Sequence, residues 1–168
     1  MSATPFSLRA PPLKAFGLAA AIVLAAAQSE ALAGGPFQKF AGEWSGGGQI
    51  VGSNGRSESI RCRAEYVEAK DGAALNQTIV CASESFKLDI HSYAEASGES
   101  LQGYWRETGR DLSGHMTGRI SGGRFEGEIV APTFTATISL ASNGRTQTLS
   151  IRPRGGDISD VRIELKRR

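Results

Sequence analysis

Apolar and polar residues alternate with a period of two through most of the chain after residue 40. That spacing puts one face of a strand in a core and the other in water. Phe86, Leu88 and Ile90, for example, interleave with Lys87, Asp89 and His91. Turn residues cut the alternation into ten predicted strands, near 43–52, 57–68, 74–82, 85–94, 100–107, 112–120, 124–130, 134–141, 146–152 and 158–166. Only the first 40 residues carry any helical character, including a short helical lead-in with Phe37 and Phe40 spaced to plug one end of a barrel.

Two-residue turns then predict the register. A turn at Ser97-Gly98 pairs Ile90 with Trp105 and Ala94 with Leu101. One at Gly109-Arg110 pairs Trp105 with Gly114 and Gly103 with Met116. Gly122-Gly123 pairs Ile120 with Phe125 and Met116 with Ile129, and Asn143-Gly144 pairs Ile138 with Leu149 and Ala136 with Ile151. Each turn brings apolar faces together. Two joints, at Asn54-Gly55 and at 154–157, need odd-length loops or a bulge, and Gly46-Gly47-Gly48 is the expected bulge site. The fold class that follows is all-β, an antiparallel up-and-down β-barrel of about eight to ten strands. Closure removes the edges that an open sheet would have to protect. A β-sandwich is the alternative.

The firmest register lies in 60–81. Asp71-Gly72 suits a type I′ turn, whose two central residues both need φ > 0. It places Cys62 opposite Cys81, Ala64 opposite Ile79 and Tyr66 opposite Gln77, all on one face. These are the chain's only two cysteines. Turn chemistry and cysteine position agree independently, so a cross-strand disulfide is expected, worth roughly 3 kcal/mol by loop entropy.

Residues 1–33 read as a cleaved signal peptide. Arg9 and Lys14 precede an apolar run over 15–27, and Ala31-Leu32-Ala33 is a small-x-small site, so cleavage is expected between Ala33 and Gly34. The run is shorter than the roughly 20 residues that span a bilayer, so no stable membrane anchor is expected. Residues 34–168 are then a single barrel domain, periplasmic or secreted, in a compartment where two cysteines pair with each other rather than bind metal. The chain carries 19 basic and 17 acidic residues. Losing Arg9, Lys14 and Glu30 leaves a net +1, a balance that argues against nucleic acid as a partner. Residues 34–100 hold 6 basic and 9 acidic residues, and 101–168 hold 11 and 7. Solvated strand ends and the Lys166-Arg167-Arg168 tail account for this more simply than an anionic partner surface. Nothing in the sequence sets an oligomeric state.

Gly42-Glu43-Trp44, followed by Ser45-Gly46-Gly47-Gly48-Gln49-Ile50, resembles the opening of lipocalins and related calycin barrels. The glycine-rich continuation is also similar to that of nitrobindin-like and other small lipocalin-like bacterial proteins. The resemblance covers about ten residues, and it implies an exported barrel that carries a small ligand. Nitrobindin-like proteins bind haem through a histidine inside the barrel. Here His91 and His115 both have the parity of an outer face, so haem is not carried over and no cofactor is expected. Bacterial metalloprotease inhibitors resemble this chain too, as small exported barrels with Gly-x-Trp and one disulfide. In that reading 34–39 would engage the protease.

Candidate chemistry is sparse. No Gly-x-Ser-x-Gly elbow or His-Glu-x-x-His motif occurs, and Glu126 and Glu128 sit on an outer face. The expectation is therefore a protein that is not an enzyme and holds no metal. Gly103, Gly114, Gly118 and Gly127 share the inner face, where they either hollow the barrel for a ligand or make room for large neighbours. Gln77 should lie inside, hydrogen-bonded to Tyr66. Trp44, Tyr66, Gln77, Trp105 and Met116 form the candidate ligand-binding set for an apolar or amphipathic small molecule. The alternative function is an envelope interaction or structural protein, including the inhibitor-like barrel. An interior cavity of a few hundred Å³ would separate the two.

Overall fold

The computed structural model describes residues 34–168. The expected signal peptide over 1–33, with Ala33 of the expected cleavage site, lies outside the described residues. Every predicted strand forms, within a few residues of its expected ends. In order they are β1 (Gly42–Gly52), β2 (Ser57–Ala69), β3 (Ala74–Ala82), β4 (Lys87–Ser97), β5 (Ser100–Glu107), β6 (Leu112–Ser121), β7 (Arg124–Val130), β8 (Thr135–Ser142), β9 (Thr146–Arg154) and β10 (Ile158–Arg167). Each pairs antiparallel with its sequence neighbour, and β1 also pairs with β10. The sheet therefore closes into a ten-stranded barrel with no free edge, not a sandwich. Period-two burial fills the interior. On β2, Ile60, Cys62, Ala64 and Tyr66 are buried while the residues between them face solvent.

The hairpin over 60–81 forms with the expected partners, Cys62–Cys81, Ala64–Ile79 and Tyr66–Gln77. Cys62 and Cys81 are joined in a disulfide. The Ala73 N–H bonds the Lys70 carbonyl at 3.0 Å. Asp71 and Gly72 between them have φ of 54° and 84°, as a type I′ turn requires.

Two hairpins are offset by two residues from expectation. Ser92, not Ile90, faces Trp105, and Ala94 faces Gly103. Ile138 faces Ile151, and Ala136 faces Pro153. In both turns the glycine is the first central residue rather than the second: Gly98 (φ 59°) precedes Glu99, and Gly144 (φ 86°) precedes Arg145. An offset of two keeps every side chain on its face, so the core is unaffected. The glycine run 46–48 is not bulged. Pairing with β10 runs unbroken through it and shifts only between Val51 and Gly52. The β1–β2 joint is the three-residue loop 53–55, closed by the Gly52 N–H on the Arg56 carbonyl at 2.8 Å. Ile151 does align with Val161.

The two ends of the barrel differ. At one end, residues 36–40 form hydrogen-bonded turns. Phe37 and Phe40 are almost completely buried there, ring centroids 6.5 Å apart and edge to face. The Phe40 carbonyl accepts from Trp44 Nε1 (2.8 Å) and Gln147 Nε2 (3.3 Å), and the Ser142 hydroxyl donates to the Lys39 carbonyl. This plug closes one end. The opposite end is ringed by the loops 53–56, 83–86, 108–111, 131–134 and 155–157. Inward residues there, such as Phe86, Leu88, Phe134 and Ile158, are only half-buried.

Candidate functional site

The core stops short of the open end. A cavity of about 460 Å³ runs up the barrel axis to the plug, within the usual range for small-molecule sites. Its floor is Phe37 and Phe40, and most of its wall is aliphatic and aromatic. Tyr66, Gln77, Trp105 and Met116 all line it. Trp44 does not. It lies wholly buried behind the plug, with the Arg167 guanidinium 4.7 Å from its ring. Gly34, the expected mature terminus, is exposed at the plugged end.

Four polar groups of the wall fall on one cross-strand row. Tyr66 on β2 neighbours Gln77 on β3, Gln77 neighbours Ser92 on β4, and Ser92 neighbours Trp105 on β5. The expected Tyr66–Gln77 hydrogen bond does not form. The Ser92 hydroxyl donates to Gln77 Oε1 at 2.5 Å instead. The register explains this, because a short serine lying directly across from Gln77 brings its hydroxyl to the amide, while the Tyr66 ring carries its own past it. Burial pushes the Tyr66 phenol well above its usual range, and its hydroxyl has no hydrogen-bond partner among the described residues. Trp105 Nε1 is buried without a partner among the described residues.

The inner glycines make room for neighbours and do not hollow the barrel. A Cβ on Gly114 would meet Trp105 Nε1 at 2.9 Å, one on Gly103 would meet Met116 Cγ at 3.2 Å, and one on Gly118 would meet the Phe125 ring at 2.8 Å. None of the four glycines borders the cavity. The space comes instead from aliphatic side chains of opposite walls that do not meet.

Four buried polar residues escaped the sequence reading: Ser92 and Ser142, whose hydrogen bonds are given above, and Gln147 and Glu107. Gln147, 1% exposed, anchors the plug. Glu107, 2% exposed, lies at the open end. Strand parity places Glu107 inside with Trp105, but its position at the edge of a loop makes it read as solvated. Its carboxylate accepts from the N–H groups of Asp89, Gly109 and Arg110. Arg110, also at the rim, lays its guanidinium 5.0 Å from the centre of the Phe86 ring. Both histidines are exposed on the outer wall. Among the described residues, no cluster of His, Cys, Asp or Glu is arranged to hold a metal, and no helix is long and apolar enough to cross a membrane.

No protein-family model matches the chain, and no curated protein matches its sequence. Solved structures do share its fold. The crystal structure of Rv2717c from M. tuberculosis superposes with a TM-score of 0.64 at 13% identity, covering 79% of this chain and 97% of that one. The S-type phycobiliprotein lyase CPES from Guillardia theta superposes with a TM-score of 0.57 at 8% identity, covering 79% and 89%. These likenesses establish the fold alone, a closed antiparallel barrel of the kind that the resemblance to lipocalins implies. They do not single out the nitrobindin-like proteins. They also correct the expectation that the chain is not an enzyme, because a lyase uses this same barrel. A barrel can promote a reaction by orienting what it encloses, which leaves no motif of the kind sought in the sequence. The chain is therefore similar in fold, and in fold alone, to these two proteins.

Proposed function

We propose that the protein is an exported, lipocalin-like binding protein that encloses a small apolar or amphipathic molecule. The cavity of about 460 Å³ carries this reading: it is largely apolar, sealed by Phe37 and Phe40, and open at the far end. A filled interior would have favoured an envelope interaction protein. The inhibitor-like reading has a further difficulty, since Phe37 of the segment that would engage a protease is buried in the plug. Tyr66, Gln77, Trp105 and Met116 are the contacts of the bound molecule. Export rests on the pattern of residues 1–33, and the disulfide is consistent with an oxidising compartment.

The test is native mass spectrometry of protein purified from its own host without detergent, alongside tryptophan fluorescence against a panel of lipids and pigments. A stoichiometric adduct is expected. Ile138→Phe should displace it while the melting temperature holds, because Ile138 borders the cavity and is only half-buried. Substituting Gly118 would be a poor probe, since any Cβ there strikes the Glu126 carbonyl. No adduct and no fluorescence response across the panel would overturn the proposal.

A further inference from the structure

Away from the open rim, the cavity's hydrogen-bonding side chains crowd one wall, and two of them carry donors that meet no acceptor. Tyr66, Gln77 and Ser92 lie side by side on β2, β3 and β4. The wall across from them, on β7 to β10, presents Ile129, Ile138, Leu149, Ile151 and Val161. The Ser92 hydroxyl is already committed to Gln77 Oε1. The Gln77 amide nitrogen and the Tyr66 hydroxyl remain, with no partner among the described residues, while the likewise unpartnered Trp105 Nε1 packs over Gly114 on the neighbouring strand. Burial holds the Tyr66 phenol in its protonated form, able to donate. Donors set in an apolar wall cost free energy unless an acceptor meets them.

That acceptor has to be uncharged. Arg110 is the only cationic residue bordering the cavity among the described residues. It sits in the loop between β5 and β6, at the open end, where its guanidinium covers Phe86 and bonds the Lys87 carbonyl at 3.2 Å. Tyr66 lies toward the plug, two residues past Ala64 and beside the strand end that carries Leu75. A carboxylate brought to Tyr66 and Gln77 would lose its water and gain only neutral donors, a poor exchange for a full charge. A carbonyl oxygen loses little and finds both donors.

Resting on the ligand-cavity reading above, we propose that Tyr66 and Gln77 form a recognition site for the neutral carbonyl oxygen of an otherwise apolar molecule. The barrel then selects ketone- or quinone-like ligands over the hydrocarbon and the carboxylate of the same skeleton. The flat aliphatic wall opposite holds the apolar face, and the carbonyl edge turns toward β2 and β3.

Calorimetric titration of the disulfide-intact protein with 2-acetonaphthone, 2-ethylnaphthalene and 2-naphthoate at pH 7.5 tests this. The ketone should bind about tenfold more tightly than the hydrocarbon, the scale of one net buried hydrogen bond, and the carboxylate should bind least. Gln77→Leu and Tyr66→Phe should each erase most of the ketone's advantage over the hydrocarbon. If Gln77→Leu fails to fold, Tyr66→Phe carries the test, because it removes one oxygen and leaves the packing as it is. Equal binding of ketone and hydrocarbon, tightest binding of naphthoate, or an advantage that survives both substitutions would overturn the proposal and leave the ligand-cavity reading standing. Failure of all three probes to bind would overturn both.

Discussion

Glu107 shows what one inward carboxylate does at the rim of the barrel. Burial pushes its pKa up, but the N–H groups of Asp89, Arg110 and Gly109 and the Arg110 guanidinium outweigh that and hold it below the ordinary glutamate value. The carboxylate thereby ties the 108–111 loop to β4. A depressed folded-state pKa adds stability that is present above the unfolded value of 4.5 and is lost as pH falls through the folded one. Glu58, Glu95 and Glu99 are lowered as well, so acid weakens the protein at several points, and only a comparison with a variant isolates Glu107. Glu107→Gln keeps the shape but cannot accept as many of the loop's N–H bonds. It should cost about 1–3 kcal/mol in urea unfolding at pH 7, and the gap to the parent should close below pH 4.5. Equal stability at pH 7 would remove the role assigned to the carboxylate.

Among the hairpins, β2–β3 stands apart because turn chemistry, register and a covalent link all fix the same pairing. The disulfide faces inward, and Cys81 borders the cavity, so it stiffens the wall that carries Tyr66 and Gln77. Replacing both cysteines with serine should lower stability by about 2–5 kcal/mol while the far-ultraviolet circular dichroism keeps its β form. A barrel that no longer folded at all would mean that the hairpin is needed to form the sheet and not only to brace it. The β4–β5 and β8–β9 hairpins were misaligned from sequence for one shared reason. Ser97-Gly98 and Asn143-Gly144 both look like complete turns, yet the glycine opens each turn instead of closing it. Asn143 stands outside the two central positions, where its Oδ1 accepts from the N–H groups of Arg145 (2.9 Å) and Thr146 (2.8 Å).

For the molecule as a whole, closure and the plug together decide what the interior can do. β1 and β10 seal the sheet, and residues 36–40 seal one end of it, so the cavity has a single way in. A plug held so close to Gly34 leaves little chain between it and the expected cleavage site. Intact-mass measurement of protein from the periplasm or culture medium should therefore give a chain that begins at Gly34. A chain that kept residues 1–33 there would undo both the export argument and the compartment assigned to the disulfide.

The strands, their inward and outward faces, the odd loops at both ends of the chain and the disulfide were all legible in the sequence. They depend on local matters: a period of two, a turn residue with positive φ, and two cysteines whose positions satisfy one register. Even where a hairpin slipped by two residues, as at Ala94 and Ile138, parity kept each side chain on its own face, so Tyr66, Gln77, Trp105 and Met116 were rightly placed inside. What lay beyond the sequence were distances between side chains on strands that are not local neighbours. Only closure of the barrel decided that the aliphatic walls fail to meet, that Trp44 lies behind the plug, that Ser92 rather than Tyr66 takes the Gln77 carbonyl, and that Glu107 is wrapped by loop amides. Those outcomes follow from how far apart opposite walls stand and which loop folds over which rim, and no period along the chain encodes either.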